Sequence, residues 1–236
     1  MKTLAFIHTS PVLVPAFNAL AQQHLDGAKV FHMVDESLIQ RTIRAGQLEK
    51  STVRRLVNQV ASAADAGADA VLVTCSSIGP AVVVARSLFD FPVLRIDERM
   101  AEQAVTMGPR IGVIATLLTT LRPTVDLLRD TAHRLGRVVE IESSLCAGAF
   151  EAILRGDTET HDNTVTRQLL EFAGLVDVIV LAQASMARIA DRLPPDARKV
   201  PVFSSPALAV AQARETLDAL DSRGAAAERP LSLKEQ

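Results

Sequence analysis

The chain has 236 residues, 48% of them hydrophobic and 22% charged, which is the balance of an ordinary water-soluble globule with room for a sizeable core. A formal charge of −2 and the lack of Trp and Tyr leave neither the electrostatic footprint nor the stacking platforms of a nucleic-acid binder. Two cysteines make no secreted disulfide framework, and Met1-Lys-Thr leads straight into an apolar strand with no leader or spanning segment, so a cytoplasmic protein with no membrane partner is expected.

Leu4 to His8 reads as a first strand, after which Thr9-Ser10-Pro11 supplies an N-cap and a proline at the first helical position. In a parallel sheet His8, Thr9 and Ser10 would stand at the strand's C-terminal end, where ligands bind. A hydrogen-bonded structural histidine is the alternative for His8. Lys29 to Val34 is a second strand, and His32 inside it reads as structural because no further His or acid stands at metal-ligand spacing. Asp35-Glu36 follows at the expected cleft mouth. From Ser51, the apolar residues Val53, Leu56, Val57, Val60, Ala61 and Ala64 recur at steps of three and four, an amphipathic helix that Gly67 closes.

Asp69 to Thr74 is a buried strand that ends on Cys75-Ser76-Ser77 and passes through Gly79-Pro80 into a helix reaching Asp90. That geometry would set Cys75 beside unpaired backbone N–H groups and the positive end of a helix dipole, which predicts a lowered thiol pKa. The competing reading is a small buried core cysteine. Phe91 to Ile96 is a fourth strand, and Asp97-Glu98 starts a helix to about Met107. The lobe boundary is placed at residue 96.

Arg110 to Thr116 opens a second lobe, with Leu117-Leu118-Thr119-Thr120 as its strand-to-helix turn and Pro123 early in the helix. Val138 to Glu142 is the next strand, and Cys146 precedes a helix near Glu151. Thr158 to Gly174 reads as a helix in which His161 and Asp162 are first-turn polar residues. A Ser-His-Asp hydrolase finds little support, since Gly-x-Ser-x-Gly is absent. Asp177 to Ala182 is a strand ending on Gln183-Ala184-Ser185-Met186. Pro201 to Phe203 is the last strand, and Ser204-Ser205-Pro206 caps a helix ending near Leu220. Residues 223–236 lack an apolar period and are expected to form a flexible tail.

The two halves repeat one another. The same six-residue step leads from Asp69 to Cys75 and from Asp177 to Gln183, each across an apolar run and before a helix; Arg44-Ala45-Gly46 and Arg155-Gly156-Asp157 stand upstream at matching places. The fold expected is α/β: two pseudo-symmetric Rossmann-like lobes, each with a parallel four-stranded sheet flanked by helices, and a cleft between them. Lobe one takes residues 1–96 and 206–222, and lobe two takes 97–205.

With its Cys-Ser-Ser after a lobe-one strand, its Thr-Thr after the first strand of lobe two and its matching strand end at Gln183, the chain resembles the aspartate/glutamate/hydantoin racemase superfamily over about residues 2–220. The resemblance implies an isomerase of a small carboxylic acid working without metal or cofactor, in which a thiol from each lobe flanks the substrate's α-carbon. It places Cys75 as one acid/base and Gln183 where the second thiol belongs, and a helix crossing back onto lobe one at the chain's end.

An amide neither gains nor loses a proton near neutral pH, though its NH2 can donate to an oxyanion, so a symmetric two-thiol racemase is disfavoured. The enzymatic readings that remain are a racemase or epimerase with His8, water or another group as second acid, a decarboxylase of a malonate-type acid, and a thiol-adding isomerase of an unsaturated diacid. A non-catalytic carboxylate binder is the reading from another class, but it would not need Cys75. The expected binding residues are Thr9, Ser10, Ser76, Ser77, Thr116, Thr119, Thr120, Ala184 and Ser185, through hydroxyls and turn amides. Helices rich in Ala, Val and Leu lead to the expectation of a homo-oligomer, a dimer.

Overall fold

The computed structural model of the protein describes residues 1–193 and 199–227. In lobe one, β1 (Thr3–His8), β2 (Lys29–Val34), β3 (Ala70–Val73) and β4 (Val93–Arg95) form a parallel sheet in the order β2-β1-β3-β4. In lobe two, β5 (Arg110–Ala115), β6 (Glu140–Leu145), β7 (Val178–Leu181) and β8 (Val202–Ser204) repeat that order as β6-β5-β7-β8, again all parallel. β3 and β7 are buried throughout, so they read as unbroken apolar runs, while the edge strands β2 and β6 are half exposed.

The helices are α1 (Val14–His24), α2 (Glu36–Ala45), α3 (Lys50–Asp65), α4 (Gly79–Arg86), α5 (Glu98–Met107), α6 (Leu118–Arg134), α7 (Ala149–Leu154), α8 (Thr158–Phe172), α9 (Ala187–Arg192) and α10 (Ser205–Ala227). The internal repeat extends to side chains. α3 buries Thr52, Leu56, Val60 and Ala63 on one face, and α8 buries His161, Val165, Leu169 and Phe172 at the same spacings. Four apolar clusters result, one on each face of each sheet. Ala209, Val210, Ala213 and Leu217 of α10 join Leu4, Phe6, Phe17 and Leu72 in lobe one, so the chain's last helix returns to the first sheet.

Two features differ from expectation. β6 spans Glu140–Leu145 instead of 138–142, because its register is set by pairing Arg110 with Glu140 through Ala115 with Leu145. Its Glu-Ser-Ser centre carries no apolar period from which to read that register. The last helix also differs, since α10 runs through Ala227 instead of ending near Leu220, and residues 228–236 of the expected flexible tail lie outside the described residues. α2 has a clear start, with Asp35 accepting from the Ser37 N–H, and a clear stop at Gly46 in the left-handed region (φ 65°).

An aspartate clamps the base of each sheet. Asp69 accepts from the Thr3 amide at 2.8 Å and the Lys2 ammonium at 3.0 Å; Asp177 accepts from the Arg110 amide at 2.9 Å and its guanidinium at 2.6 Å. The Arg110 side chain and amide hold the Asp177 carboxyl below the usual carboxylate range. At Asp69 burial pushes upward but is outweighed by Thr3 and Lys2. A carboxyl lowered by folding contributes stability above its unfolded pKa of ~3.9, and that contribution is lost as pH falls through the folded value. Stability to urea followed by circular dichroism is therefore expected to fall more steeply below pH ~4 in wild type than in Asp69→Asn/Asp177→Asn, which should be less stable at neutral pH and show a flattened acid limb. An unchanged acid limb would remove the clamps from the account.

Candidate active site between the lobes

In each sheet the chain leaves the first strand to one side and returns on the other, so the crevice lies beyond the C-terminal ends of β1 and β3 in lobe one and of β5 and β7 in lobe two. The residues there are Thr9 and Cys75, and Thr116 and Gln183. This topology selects the same positions as the sequence pattern.

Cys75 is half-buried and takes the cap position, with extended backbone, of a 3-10 turn over Ser76–Ile78 that runs into α4. Pro80 sits in the first turn of α4, as its missing N–H allows. The hydroxyls of Thr9 and Ser77 and the amides of Ser77 and Ile78 all face the thiol. Burial is the largest influence and pushes the Cys75 thiol up; those four donors pull it back in part. The expectation of a lowered pKa is thus corrected: the turn supplies donors for a thiolate, but burial outweighs them and favours the thiol.

Gln183 occupies the matching cap position in lobe two, ahead of a 3-10 turn over Ala184–Met186. Its Oε1 accepts from the Thr116 N–H at 2.6 Å and its Nε2 donates to Thr116 Oγ1 at 2.7 Å. The side chain is closed into a ring with one residue, which fixes its orientation and leaves a single Nε2–H free. Across the seam, Ser77 Oγ and Thr120 Oγ1 share a hydrogen bond of 2.7 Å, both buried. The lobes therefore meet through the turns that carry Cys75 and Thr119-Thr120. Ala184 packs on the lobe-one cluster that α10 completes.

Other expected site residues behave differently. Ser10 caps its turn in position but makes no side-chain cap bond, and Ser76 is buried. Thr119 Oγ1 is buried without a partner. Ser185 lends only its carbonyl, to Arg188 at 2.8 Å. Arg188 also holds Asp162, which holds His161, so the first-turn pair of α8 is tied to the Gln183 turn through Arg188.

His8 corrects an expectation. Its ring is fully buried, stacked on Phe6 and His32, with Nε2 bonded to His32 Nδ1 and Nδ1 to Thr74 Oγ1, each at 2.8 Å. His32 continues the row to Asn18 Oδ1 at 2.8 Å. Both rings are neutral when Thr74 donates to His8, His8 to His32, and His32 to Asn18, with the single Thr74 hydroxyl proton shared with the Ile7 carbonyl at 3.2 Å. Burial and then His32 lower the His8 pKa to about 4. No nitrogen is left for a substrate, so His8 is a structural residue under the cleft and not its second acid. Cys146 is buried in the lobe-two core beside Ile114 and Met186, with its thiol pushed up to about 11 by burial.

Sequence reasoning missed Arg95 and Asp97. The Arg95 guanidinium is buried between the lobes, with Nε 2.6 Å and Nη2 3.1 Å from the Asp97 carboxylate, and Nη2 donates to the Pro123 carbonyl of α6 at 3.2 Å. The signal was Gly79. A Cβ built there would overlap the Arg95 guanidinium as Asp97 and Pro123 hold it, so glycine at this position lets the guanidinium pass.

Two facing Rossmann-like lobes, with a thiol and an amide at equivalent strand ends across a hydroxyl-rich seam, define an α/β protein with a candidate site between its lobes. Residues 7–213 match the Asp/Glu/hydantoin racemase family model, and the chain belongs to that family. Its fold is similar to that of glutamate racemase isoform RacE1 from Bacillus anthracis (TM-score 0.70, 16% identity, 94% of this chain and 83% of that one). It is also similar to Picrophilus torridus aspartate racemase (TM-score 0.68, 15% identity, 91% and 95%) and allantoin racemase from Klebsiella pneumoniae (TM-score 0.66, 20% identity, 94% and 89%). No curated protein sequence matches the chain. No helix among the described residues is long and apolar enough to cross a membrane.

Proposed function

We propose that this racemase-family enzyme transfers a proton at the α-carbon of a small carboxylic acid, with Cys75 as its acid/base and no cofactor. The observation that carries the reading is the Cys75 turn, where two hydroxyls and two amides converge on one thiol at the end of β3. An α-proton is only weakly acidic, so removing it requires a positioned base and donors for the enediolate that forms. Cys75 serves the lobe-one face. The remaining Nε2–H of Gln183, the Thr116 hydroxyl and the turn amides of α6 serve the oxyanion from lobe two, where Gln183 cannot return a proton.

A second reading has an observation of its own. With Gln183 closed onto Thr116 and His8 occupied, proton delivery from a side chain is one-sided, which suits a decarboxylase of a malonate-type acid that protonates its enediolate from Cys75. Incubation in deuterium oxide with aspartate, glutamate, hydantoins and 2-substituted malonates distinguishes the two. Label at the α-carbon with inversion supports the racemase, and retention or decarboxylation supports one-sided delivery. No Cys75-dependent label or turnover with any of them would end the reading. Gln183→Cys is expected to open or accelerate inversion by restoring a second thiol. Association into a dimer is a further proposal, which light scattering tests.

A further inference from the structure

We propose that Arg95 anchors the substrate's carboxylate in this cleft, an inference that rests on the proton-transfer reading above. Arg95 is the last residue of β4, at the same end of the sheet as Cys75. Its guanidinium lies over Gly79 in the first turn of α4 and reaches the Pro123 carbonyl of α6, so it spans the seam that Ser77 and Thr120 also bridge. Asp97 occupies Nε and one side of Nη2, and the Pro123 carbonyl takes the rest of that nitrogen. Among the described residues Nη1 has no protein partner, and it is not an enclosed atom although the residue as a whole is only 5% exposed. One donor edge of a buried cation is therefore left open at the interlobe seam.

A brace alone does not account for this arrangement. Burying an ion pair costs several kcal/mol per ion, and apolar residues of similar volume often replace such a pair without loss. Thr119 supplies an independent observation: it is 9% exposed, its Oγ1 is buried with no partner, and it adjoins the Thr120 that bonds Ser77. A carboxylate is planar, with two acceptor oxygens, and can accept from an Arg N–H and a hydroxyl together. Arg95 and Thr119 then fix the acid group, which turns the α-carbon toward Cys75.

The test reads occupancy of the cleft without needing the substrate. Malonate is the probe, and its half-protection concentration is measured against alkylation of Cys75 by iodoacetamide in the full chain. Wild type is expected to be protected. Arg95→Met/Asp97→Leu, which removes both buried charges together and should therefore stay folded, is expected to raise the half-protection concentration at least tenfold. Thr119→Val, nearly the same size, should raise it severalfold and provides the test if the double variant does not fold. Arg95→Lys should fall between wild type and the double variant, since it keeps the charge but not the fork. Unchanged protection in the folded double variant, or in Thr119→Val if that is the one that folds, would overturn the proposal. So would a wild type that malonate does not protect. A wild type that shows Cys75-dependent deuterium exchange on a hydantoin yet no protection by malonate would sink this inference and leave the proton-transfer reading standing.

Discussion

Cys75→Ser is expected to lower α-proton exchange by about 10²–10⁴-fold, the usual contribution of a positioned acid/base, while Cys146→Ser leaves it nearly unchanged. The two thiols differ in position more than in burial. Thr9, Ser77 and the Ser77 and Ile78 amides surround Cys75, whereas Cys146 lies among Ile114, Ala149 and Met186 with no donor ring of that kind. Serine keeps the size and the hydrogen bonds but not the acidity, so binding of a carboxylate should persist while turnover falls. The pH dependence has a definite sign. Burial raises the Cys75 thiol, so alkylation by iodoacetamide should rise with pH along a curve displaced above that of a free thiol. Equal losses in both cysteine variants, or a curve displaced below the free thiol, would move the chemistry away from this turn.

Asp97→Ala is expected to destabilise the protein by about 3–5 kcal/mol, the cost of leaving a buried partner charge unpaired. Asp97 is fully buried and holds two nitrogens of Arg95, whose own side chain is 6% exposed. Removing the carboxylate leaves the guanidinium with the Pro123 carbonyl alone. Removing both charges in Arg95→Met/Asp97→Leu should recover most of the loss, because two apolar side chains can fill the same volume. Urea unfolding of the two variants and wild type measures this directly. A single variant as stable as wild type would mean that water reaches the pair, and the buried cation would lose its part in the account of the cleft.

The repeat of strand, special residue and helix was legible in the sequence because its causes are local or periodic. Central parallel strands are buried on both faces, so β3 and β7 appear as apolar runs, and Gly-Pro after Cys75 marks a helix start whatever packs around it. The matched six-residue steps to Cys75 and Gln183 located both strand ends that topology later selected. Edge strand β6 was misplaced, since its register comes from pairing with β5 and not from its own polar residues. Side-chain direction and interlobe contact were decided only by the tertiary structure. His8 ends β1 and Thr9 follows it, but successive side chains of an extended chain alternate in direction, so His8 turns into an aromatic cluster while Thr9 meets Cys75. The net rise in the Cys75 pKa, the closure of Gln183 onto Thr116, and the passage of Arg95 over Gly79 to Pro123 depend on burial and on residues up to 67 positions apart. A sequence names the groups that can do chemistry, but which of them face one another is set when the two lobes pack.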